Sequence, residues 1–188
     1  LAKITQHRSG EIKFGEKMQT VPKDVDIKTF LKQCNAKFVL FGIPEDVGVR
    51  ANYGRPGAAS AWKSAISSIA NIQHNRFNKG SNILILGTLD FEKEMIEAQD
   101  LNFNLMEDRK RLSALVEIID KEVVYIISMI VKCGKIPIII GGGHNNAYGN
   151  IKGTALAKGK PINAINFDAH SDFRILEGRH SGNGFSYA

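Results

Sequence analysis

The sequence has few of the residues and patterns that define several large protein classes. It contains only two cysteines, Cys34 and Cys133, in 188 residues, which excludes a disulfide-stapled scaffold and makes the reducing cytoplasm the expected compartment. No apolar run approaches the roughly 18 residues of a membrane-spanning helix, and the first residues lack the apolar stretch of a signal peptide. A membrane partner is therefore not expected.

Aromatic residues and clustered positive charge are also scarce. Aromatics make up 8% of the residues, and 25 Lys and Arg against 19 Asp and Glu give a net charge of +6, with the basic residues scattered along the chain. Because nucleic-acid surfaces combine basic patches with stacking aromatics, no nucleic-acid partner is expected. The moderate positive charge would instead help to gather an anionic small-molecule substrate.

Four short apolar runs predict the strands of a parallel sheet. Each run is nearly continuous rather than alternating, and each is followed by Gly or by Asp and small residues, as is typical of strands buried on both faces. The runs are residues 37–42, 82–87, 136–141 and 162–168. Ligands of such sheets bind beyond the carboxyl ends of the strands, so the segments that follow the runs are where we expect functional residues.

Helical patterns lie between these runs, at residues 57–70, 107–132 and 145–158. Strands that alternate with helices indicate an α/β fold with a mostly parallel sheet. The polar stretch at residues 1–35 shows only a weak helical pattern and predicts an irregular or helical lead-in. Residues 36–188 are expected to belong to one α/β domain.

Asp168, His170 and Asp172 stand at alternate positions after the fourth apolar run. On an extended segment, residues two apart point to the same side. Burying two carboxylates without a partner would cost several kcal/mol, and a metal ion would offset that cost. A solvated loop with the same spacing is the alternative, and the spacing favours the metal site.

A histidine, His144, follows the third apolar run directly after three glycines. The glycines allow a tight turn and a close backbone approach to a bound group. An ordinary strand-to-helix turn with a structural histidine is the alternative. Imidazole with carboxylates suits Mn²⁺ and also fits Zn²⁺, Fe²⁺ or Co²⁺, whereas a structural zinc site is disfavoured because neither cysteine is nearby.

These segments resemble the ureohydrolase family, which comprises arginases, agmatinases and formimidoylglutamases. The stretch EGRHSGNGFS at residues 177–186 is most similar to formimidoylglutamase-like members. The other matching segments are GGGH at 141–144, NFDAHSD at 166–172, SGN at 181–183 and a first loop formed by 42–49 and 52–58.

The resemblance implies a three-layer α/β/α fold of the arginase type that holds two Mn²⁺ ions. His144 would bind one ion and His170 the other, Asp168 would bridge them, and Asp172 would join the ion of His144. A hydroxide between the metals would attack the amidine or guanidine carbon of a small substrate and release an amine with formamide or urea. The protein is expected to be a homo-oligomer.

The resemblance also assigns candidate substrate residues. Arg174, Ser181 and Asn183 match positions that hold the amino-acid end of the substrate, although a surface arginine and a simple turn are the alternatives. Phe185 stands where arginases usually have a proton-transferring histidine, which disfavours arginine and favours a formimidoyl or other guanidino acid. His180 is the candidate for proton transfer.

The family's second metal motif, Asp-x-Asp-x-x-Asp, does not occur on any predicted strand. We therefore expect the chain to be the amino-terminal portion of a longer enzyme, with an incomplete sheet, weak Mn²⁺ binding and little turnover of its own. A non-catalytic fragment or metal-free relative that acts as an assembly module is the alternative. Nucleotide-binding glycine motifs and the Gly-x-Ser-x-Gly elbow of serine hydrolases are absent, which disfavours both of those classes.

Overall fold

A parallel β-sheet of four strands organises the chain, and the computed structural model describes all of residues 1–188. The strands are β1 (Gln19–Thr20), β2 (Phe38–Gly42), β3 (Ile83–Thr88) and β4 (Ile136–Ile140). Their order across the sheet is β1-β3-β2-β4, and every neighbouring pair is parallel. The carboxyl ends of the strands therefore meet at one edge of the sheet.

Eight α-helices connect and flank the strands. They are α1 (Phe14–Lys17), α2 (Ile27–Gln33), α3 (Val47–Ala51), α4 (Ala61–Ala70), α5 (Glu92–Gln99), α6 (Met106–Lys132), α7 (Asn146–Lys158) and α8 (Gly184–Tyr187). Single 3-10 turns cover Ala58–Ser60, Gly80–Asn82 and Ser181–Asn183. The three predicted helices are thus confirmed as a 3-10 turn with α4, as α6 and as α7.

Helices cover both faces of the sheet. Val39 of β2 packs on one face with Ile119 of α6 in the larger buried cluster. The next residue, Leu40, packs on the opposite face with Phe14 of α1 and Ile66 of α4. Successive strand residues point to opposite faces, so the continuous apolar run in β2 reflects burial on both sides. The three-layer α/β/α fold is confirmed.

The longest helix, α6, contributes most of the larger core. Its buried residues recur at spacings of three and four, which places them on one face: Leu112, Leu115, Val116, Ile119, Asp120, Val123, Ile126, Ile127 and Ile130. The single charged member of this stripe is Asp120. None of the helices combines the length and the apolar character that a membrane span requires.

Helix α7 packs tightly against α6 through two glycines. A Cβ at Gly149 would lie 2.5 Å from Cγ1 of Val123, and one at Gly153 would lie 2.8 Å from Cβ of Ile127. These separations are too short for real side chains, so the two helices approach more closely than any larger residue would allow. The packing fixes α7, whose first turn lies at the carboxyl edge of the sheet.

The predicted strand at residues 162–168 is wrong. The segment pairs with no strand, and Ile165 and Phe167 are 83% and 97% exposed. The edge strand β4 is also open to solvent, since Ile136 and Ile138 are partly exposed. A strand needs backbone partners as well as apolar residues. Residues 162–168 pair with no neighbouring strand, so their apolar composition alone did not make them a strand.

The lead-in at residues 1–35 is packed onto the sheet. Gln19 in β1 lies opposite Leu84 of β3, and Phe14 and Met18 are buried. Asp26 caps α2 by accepting a 2.8 Å hydrogen bond from the backbone N–H of Thr29. Such a cap satisfies one of the free N–H groups of a first helical turn.

Candidate metal centre

A glycine turn carries the chain from β4 into α7 at the carboxyl edge of the sheet. Gly141 and Gly142 have φ angles of +72° and +92°, in the left-handed region that favours glycine. A Cβ at Gly142 would lie 2.5 Å from the carbonyl oxygen of Ile43. The turn therefore passes directly against the segment that follows β2, and it places His144 just before α7.

The imidazole of His144 faces two carboxylates from the loop that follows residue 167. Its Nδ1 lies 2.5 Å from Oδ2 of Asp172 and 3.4 Å from Oδ2 of Asp168. One ligand atom from each of the three residues lies within 4.8 Å of the others. The glycine-rich turn at residues 141–144 and the acidic loop at residues 168–172 thus converge at one point.

His170 does not join this cluster. Asp168 accepts a 2.8 Å hydrogen bond from the backbone N–H of His170, and this bond is the main cause that holds the pKa of Asp168 below its ordinary value. The side chain of His170 is 84% exposed, and its Nδ1 lies 3.4 Å from Oδ1 of Asp168. The two oxygens of Asp168 therefore face different imidazoles.

The loop reaches this arrangement without being extended. Asp172 has a φ of +53°, in the left-handed region, and the hydrogen bond from His170 to Asp168 closes a tight turn. The expectation that Asp168, His170 and Asp172 would share one side because of an extended backbone is therefore wrong. Asp168 and Asp172 nevertheless both place a carboxylate oxygen beside the imidazole of His144.

The cluster suits a divalent cation. Carboxylate oxygens with one imidazole nitrogen are ligands for ions such as Mn²⁺, Fe²⁺ or Zn²⁺. The side chains of His144 and Asp168 are about a third exposed and that of Asp172 is 12% exposed, so an ion could enter from solvent. Three side-chain donors hold one ion while leaving coordination positions for water or substrate.

Two aromatic rings border the cluster. The ring of Phe185 packs edge-on against His144 with centroids 6.0 Å apart, and Phe173 lies 5.4 Å from Phe185. Phe185 therefore stands beside the candidate metal centre, at the position where the family resemblance led us to look for a histidine.

Arg174 and Ser181 meet at Asn52, in the segment after α3. The Arg174 guanidinium donates a 2.8 Å hydrogen bond to Oδ1 of Asn52 and another of 2.5 Å to Glu177. The amide nitrogen of Asn52 donates to the hydroxyl of Ser181 over 3.2 Å. Two of the three predicted substrate residues, Arg174 and Ser181, are thus held in place by Asn52, for which the sequence predicted no individual role.

The other two predicted residues, His180 and Asn183, are buried. Nδ1 of His180 accepts a hydrogen bond from the N–H of Gly182, and its Nε2 lies 3.2 Å from Glu177. Burial lowers the pKa of His180 below its ordinary value, although Glu177 acts in the opposite direction.

The Asn183 side chain is occupied within the protein. Its amide nitrogen donates to the carbonyl oxygen of Gly178 over 2.7 Å, and its oxygen accepts from Arg179 and from the backbone of His180. The side chain is fully buried. Its observed contacts hold the loop at residues 178–183 together.

A buried ion pair anchors the same loop to α6. Nε of Arg179 lies 2.7 Å from Oδ2 of Asp120, with both side chains at most 5% exposed. Arg179 also donates to the carbonyl oxygen of Asn145 at 3.0 Å. Burial raises the pKa of Asp120 to about 6, although Arg179 acts in the opposite direction. This pair was not predicted from the sequence, although the acid on the apolar stripe of α6 was the available signal.

A cavity of about 380 Å³ opens beside this loop. Arg109 and Lys110 of α6 line it together with Tyr53, Arg174 and His180. Its lining is rich in positive charge, so it would attract an anionic group.

Comparison with known proteins decides the family. A model of the arginase family matches residues 36–187, a range that contains His144, Asp168 and Asp172. The chain belongs to the arginase family. This confirms the resemblance to ureohydrolases that the motifs indicated.

Among curated relatives of this arginase-family chain, the formimidoylglutamase of Streptococcus gordonii is 30% identical over 152 residues, which cover 79% of the chain and 40% of that protein. The crystal structure of Trypanosoma cruzi formiminoglutamase with Mn²⁺ matches with a TM-score of 0.62 at 19% identity, over 94% of this chain and 52% of that one. Bacillus subtilis formimidoylglutamase matches with a TM-score of 0.65 at 18% identity, over 97% and 49%.

These structural matches establish the arginase-like fold of the chain. The chain spans about 40% of the length of the curated relative and about half of the two solved chains.

Proposed function

We propose that the protein is a metal-dependent hydrolase of a linear amidine or guanidine C–N bond, with Mn²⁺ as its ion and a formimidoylglutamate-type acid as its favoured substrate. The observation that carries this proposal is the convergence of His144, Asp168 and Asp172 at the carboxyl edge of the sheet. Family membership and the formimidoylglutamase relatives support it.

His144, Asp168 and Asp172 would hold one ion. Asp168 presents its second oxygen towards His170, which supports a bridging role and a second ion on the His170 side. A complete active site would then contain two Mn²⁺. When bound, the ions would lower the pKa of a water and polarise the substrate carbon–nitrogen bond.

The remaining residues would bind and orient the substrate. Arg174, held by Asn52 and Glu177, would bind a substrate carboxylate through its planar guanidinium. Ser181 would add a hydroxyl on the same side. Phe173 and Phe185 would limit the access of bulk water to the cluster.

His180 is the proposed proton carrier. Because its Nδ1 accepts the N–H of Gly182, only Nε2 is free to exchange a proton, and Nε2 faces Glu177. Asn183 would position His180 rather than bind the substrate directly, since its oxygen accepts hydrogen bonds from Arg179 and from the backbone N–H of His180.

The test is an assay of the complete natural protein with Mn²⁺ against formimidoylglutamate, arginine and agmatine. Formamide release from formimidoylglutamate that is lost in both Asp172→Asn and His144→Ala would support the proposal. Urea release from arginine or agmatine would instead assign one of these guanidino compounds as the substrate. No metal-dependent turnover of any of the three substrates would overturn the proposal.

A second candidate, a metal-free assembly module, is favoured by the open edge of β4. Ile136 and Ile138 on that strand are partly exposed, and Phe167 is almost fully exposed. Exposed apolar strand edges favour association, and the same feature supports a homo-oligomer. Sedimentation of the complete protein tests the oligomer, while absence of metal binding would separate this candidate from the enzyme.

The cytoplasm is the proposed compartment, and residues 36–188 the proposed functional unit. Cys34 and Cys133 are both free, as a reducing compartment would require. The family match begins at residue 36, which supports residues 36–188 as this unit, onto whose sheet the lead-in packs through β1.

A further inference from the structure

Glu45 is a fully buried carboxylate at the carboxyl edge of the sheet. It follows β2 and is 0% exposed, next to the equally enclosed Asp46. Burying an acid carries a desolvation cost, and burial raises the pKa of Glu45 above its ordinary value although its hydrogen bonds lower it. A buried acid of this kind needs compensating donors.

Four N–H groups converge on Glu45. Its Oε1 accepts from the backbone N–H of Gly143 at 3.0 Å and from the side-chain amides of Asn145 and Asn146 at 3.2 and 2.6 Å. Its Oε2 accepts from the backbone N–H of Val47 at 2.9 Å. Three of the four donors belong to the turn after β4 and to the first residue of α7, 98 to 101 residues away in sequence.

These three donors flank His144 on both sides. Gly143 precedes the histidine, and Asn145 and Asn146 follow it. The turn also contains Gly142, which has a left-handed φ of +92°. Because glycine lacks a Cβ, it has little intrinsic preference between this and other backbone conformations. The contacts of Glu45 therefore supply a constraint that the glycine-rich sequence of the turn lacks.

We infer that Glu45 is the positioning residue for His144: it locks the glycine turn so that the imidazole faces Asp168 and Asp172. This inference rests on the proposed metal site. Residues that orient a ligand in this way commonly change metal affinity by about 10- to 100-fold when they are altered.

Two substitutions separate the reach of the side chain from its charge. Glu45→Asp keeps the charge but shortens the side chain by one methylene, so its oxygens withdraw from the turn. Glu45→Gln keeps the length, and its carbonyl oxygen can still accept the three turn donors. Its NH2 group cannot accept the N–H of Val47, so this variant loses stability but keeps its hold on the turn. The matched control is Asp46→Asn, because Asp46 is equally buried but bonds Arg50 and Gly57 instead of the turn.

The experiment measures the Mn²⁺ affinity of the 188-residue chain and its variants by the electron paramagnetic resonance of free Mn²⁺. Amide NMR of Gly143 and the unfolding free energy of the metal-free chains are recorded in parallel. We expect Glu45→Asp to weaken Mn²⁺ binding at least tenfold and to shift the Gly143 amide. Glu45→Gln and Asp46→Asn should stay within about threefold of the wild type.

Wild-type affinity in Glu45→Asp would overturn the inference, as would an equal loss in Asp46→Asn, which would reduce the effect to general stability. If the wild-type chain binds no Mn²⁺, the proposed metal site fails, and the NMR data still decide the role of Glu45. An unchanged Gly143 amide in Glu45→Asp would then refute the locking of the turn, and a shifted one would support it.

Discussion

The imidazole of His144 and the carboxylate of Asp172 lie 2.5 Å apart, although His144 follows β4 and Asp172 lies in a loop that pairs with no strand. The carboxyl ends of parallel strands lie at one edge of the sheet, and His144 lies at this edge because it follows β4. The chain that follows the acidic loop is anchored to α6 by the buried ion pair between Arg179 and Asp120.

Replacing Arg179 should therefore destabilise the protein strongly. Arg179→Met leaves the buried Asp120 carboxylate without its partner, and breaking such a pair typically costs about 3–5 kcal/mol of unfolding free energy. Urea denaturation measures this loss. Arg111→Met is the matched control, because its ion pair with Glu97 is about half exposed and should contribute far less to stability. Equal losses in the two variants would contradict the account.

The stability contributed by His180 should depend on pH. An unfolded histidine takes up a proton near pH 6.5, and burial lowers the folded pKa of His180 below that value. The unfolded state therefore binds more protons as the pH falls, so this contribution is present above pH 6.5 and is lost as the pH falls through the folded pKa.

The comparison uses His180→Asn, whose side-chain oxygen can still accept the N–H of Gly182. We expect the stability advantage of the wild type over this variant to shrink as the pH is lowered from 7 to 5, measured by urea denaturation at each pH. An advantage that grows as the pH falls would refute the lowered pKa.

Gly153→Ala tests the close contact of α6 and α7. Alanine normally favours a helix over glycine by about 1 kcal/mol, but here the new Cβ would lie 2.8 Å from Cβ of Ile127. Overpacking of this kind costs about 1–3 kcal/mol, so we expect a net loss in thermal stability. Lys158→Ala, at the exposed end of α7, should change stability by less than about 0.5 kcal/mol. A more stable Gly153→Ala variant would contradict the close packing.

The elements that the sequence predicted correctly are those that local patterns determine. The spacing of apolar residues in α6 and the continuous runs of β2 and β3 correspond to burial that these segments achieve in the structure. The run of β4 forms the predicted strand, but at an open edge of the sheet. The segment at 162–168 has the same composition, but a strand also depends on a neighbour that no local pattern specifies. The extended backbone predicted for residues 168–172 is also absent, since Asp172 has a left-handed φ of +53°.

The residues of the candidate site could be predicted where they belong to a local sequence motif. They could not be predicted where their role depends on contacts with residues far away in the sequence. The glycines before His144 and the acids around Asp168 stand out in the sequence. Glu45 does not, because its hydrogen-bond partners lie about 100 residues away. The role of Asn52 could not be predicted for the same reason, since its partner Ser181 lies 129 residues away in the sequence. Such roles become visible only in three dimensions.

The most direct test of the metal centre is a Mn²⁺ titration of the 188-residue chain, followed by electron paramagnetic resonance, for the wild type, His144→Ala and His170→Ala. We expect one weak site per chain that is lost in His144→Ala and retained in His170→Ala, because only His144 faces both carboxylates. Undiminished binding in His144→Ala, or tight binding of two ions per chain, would contradict it.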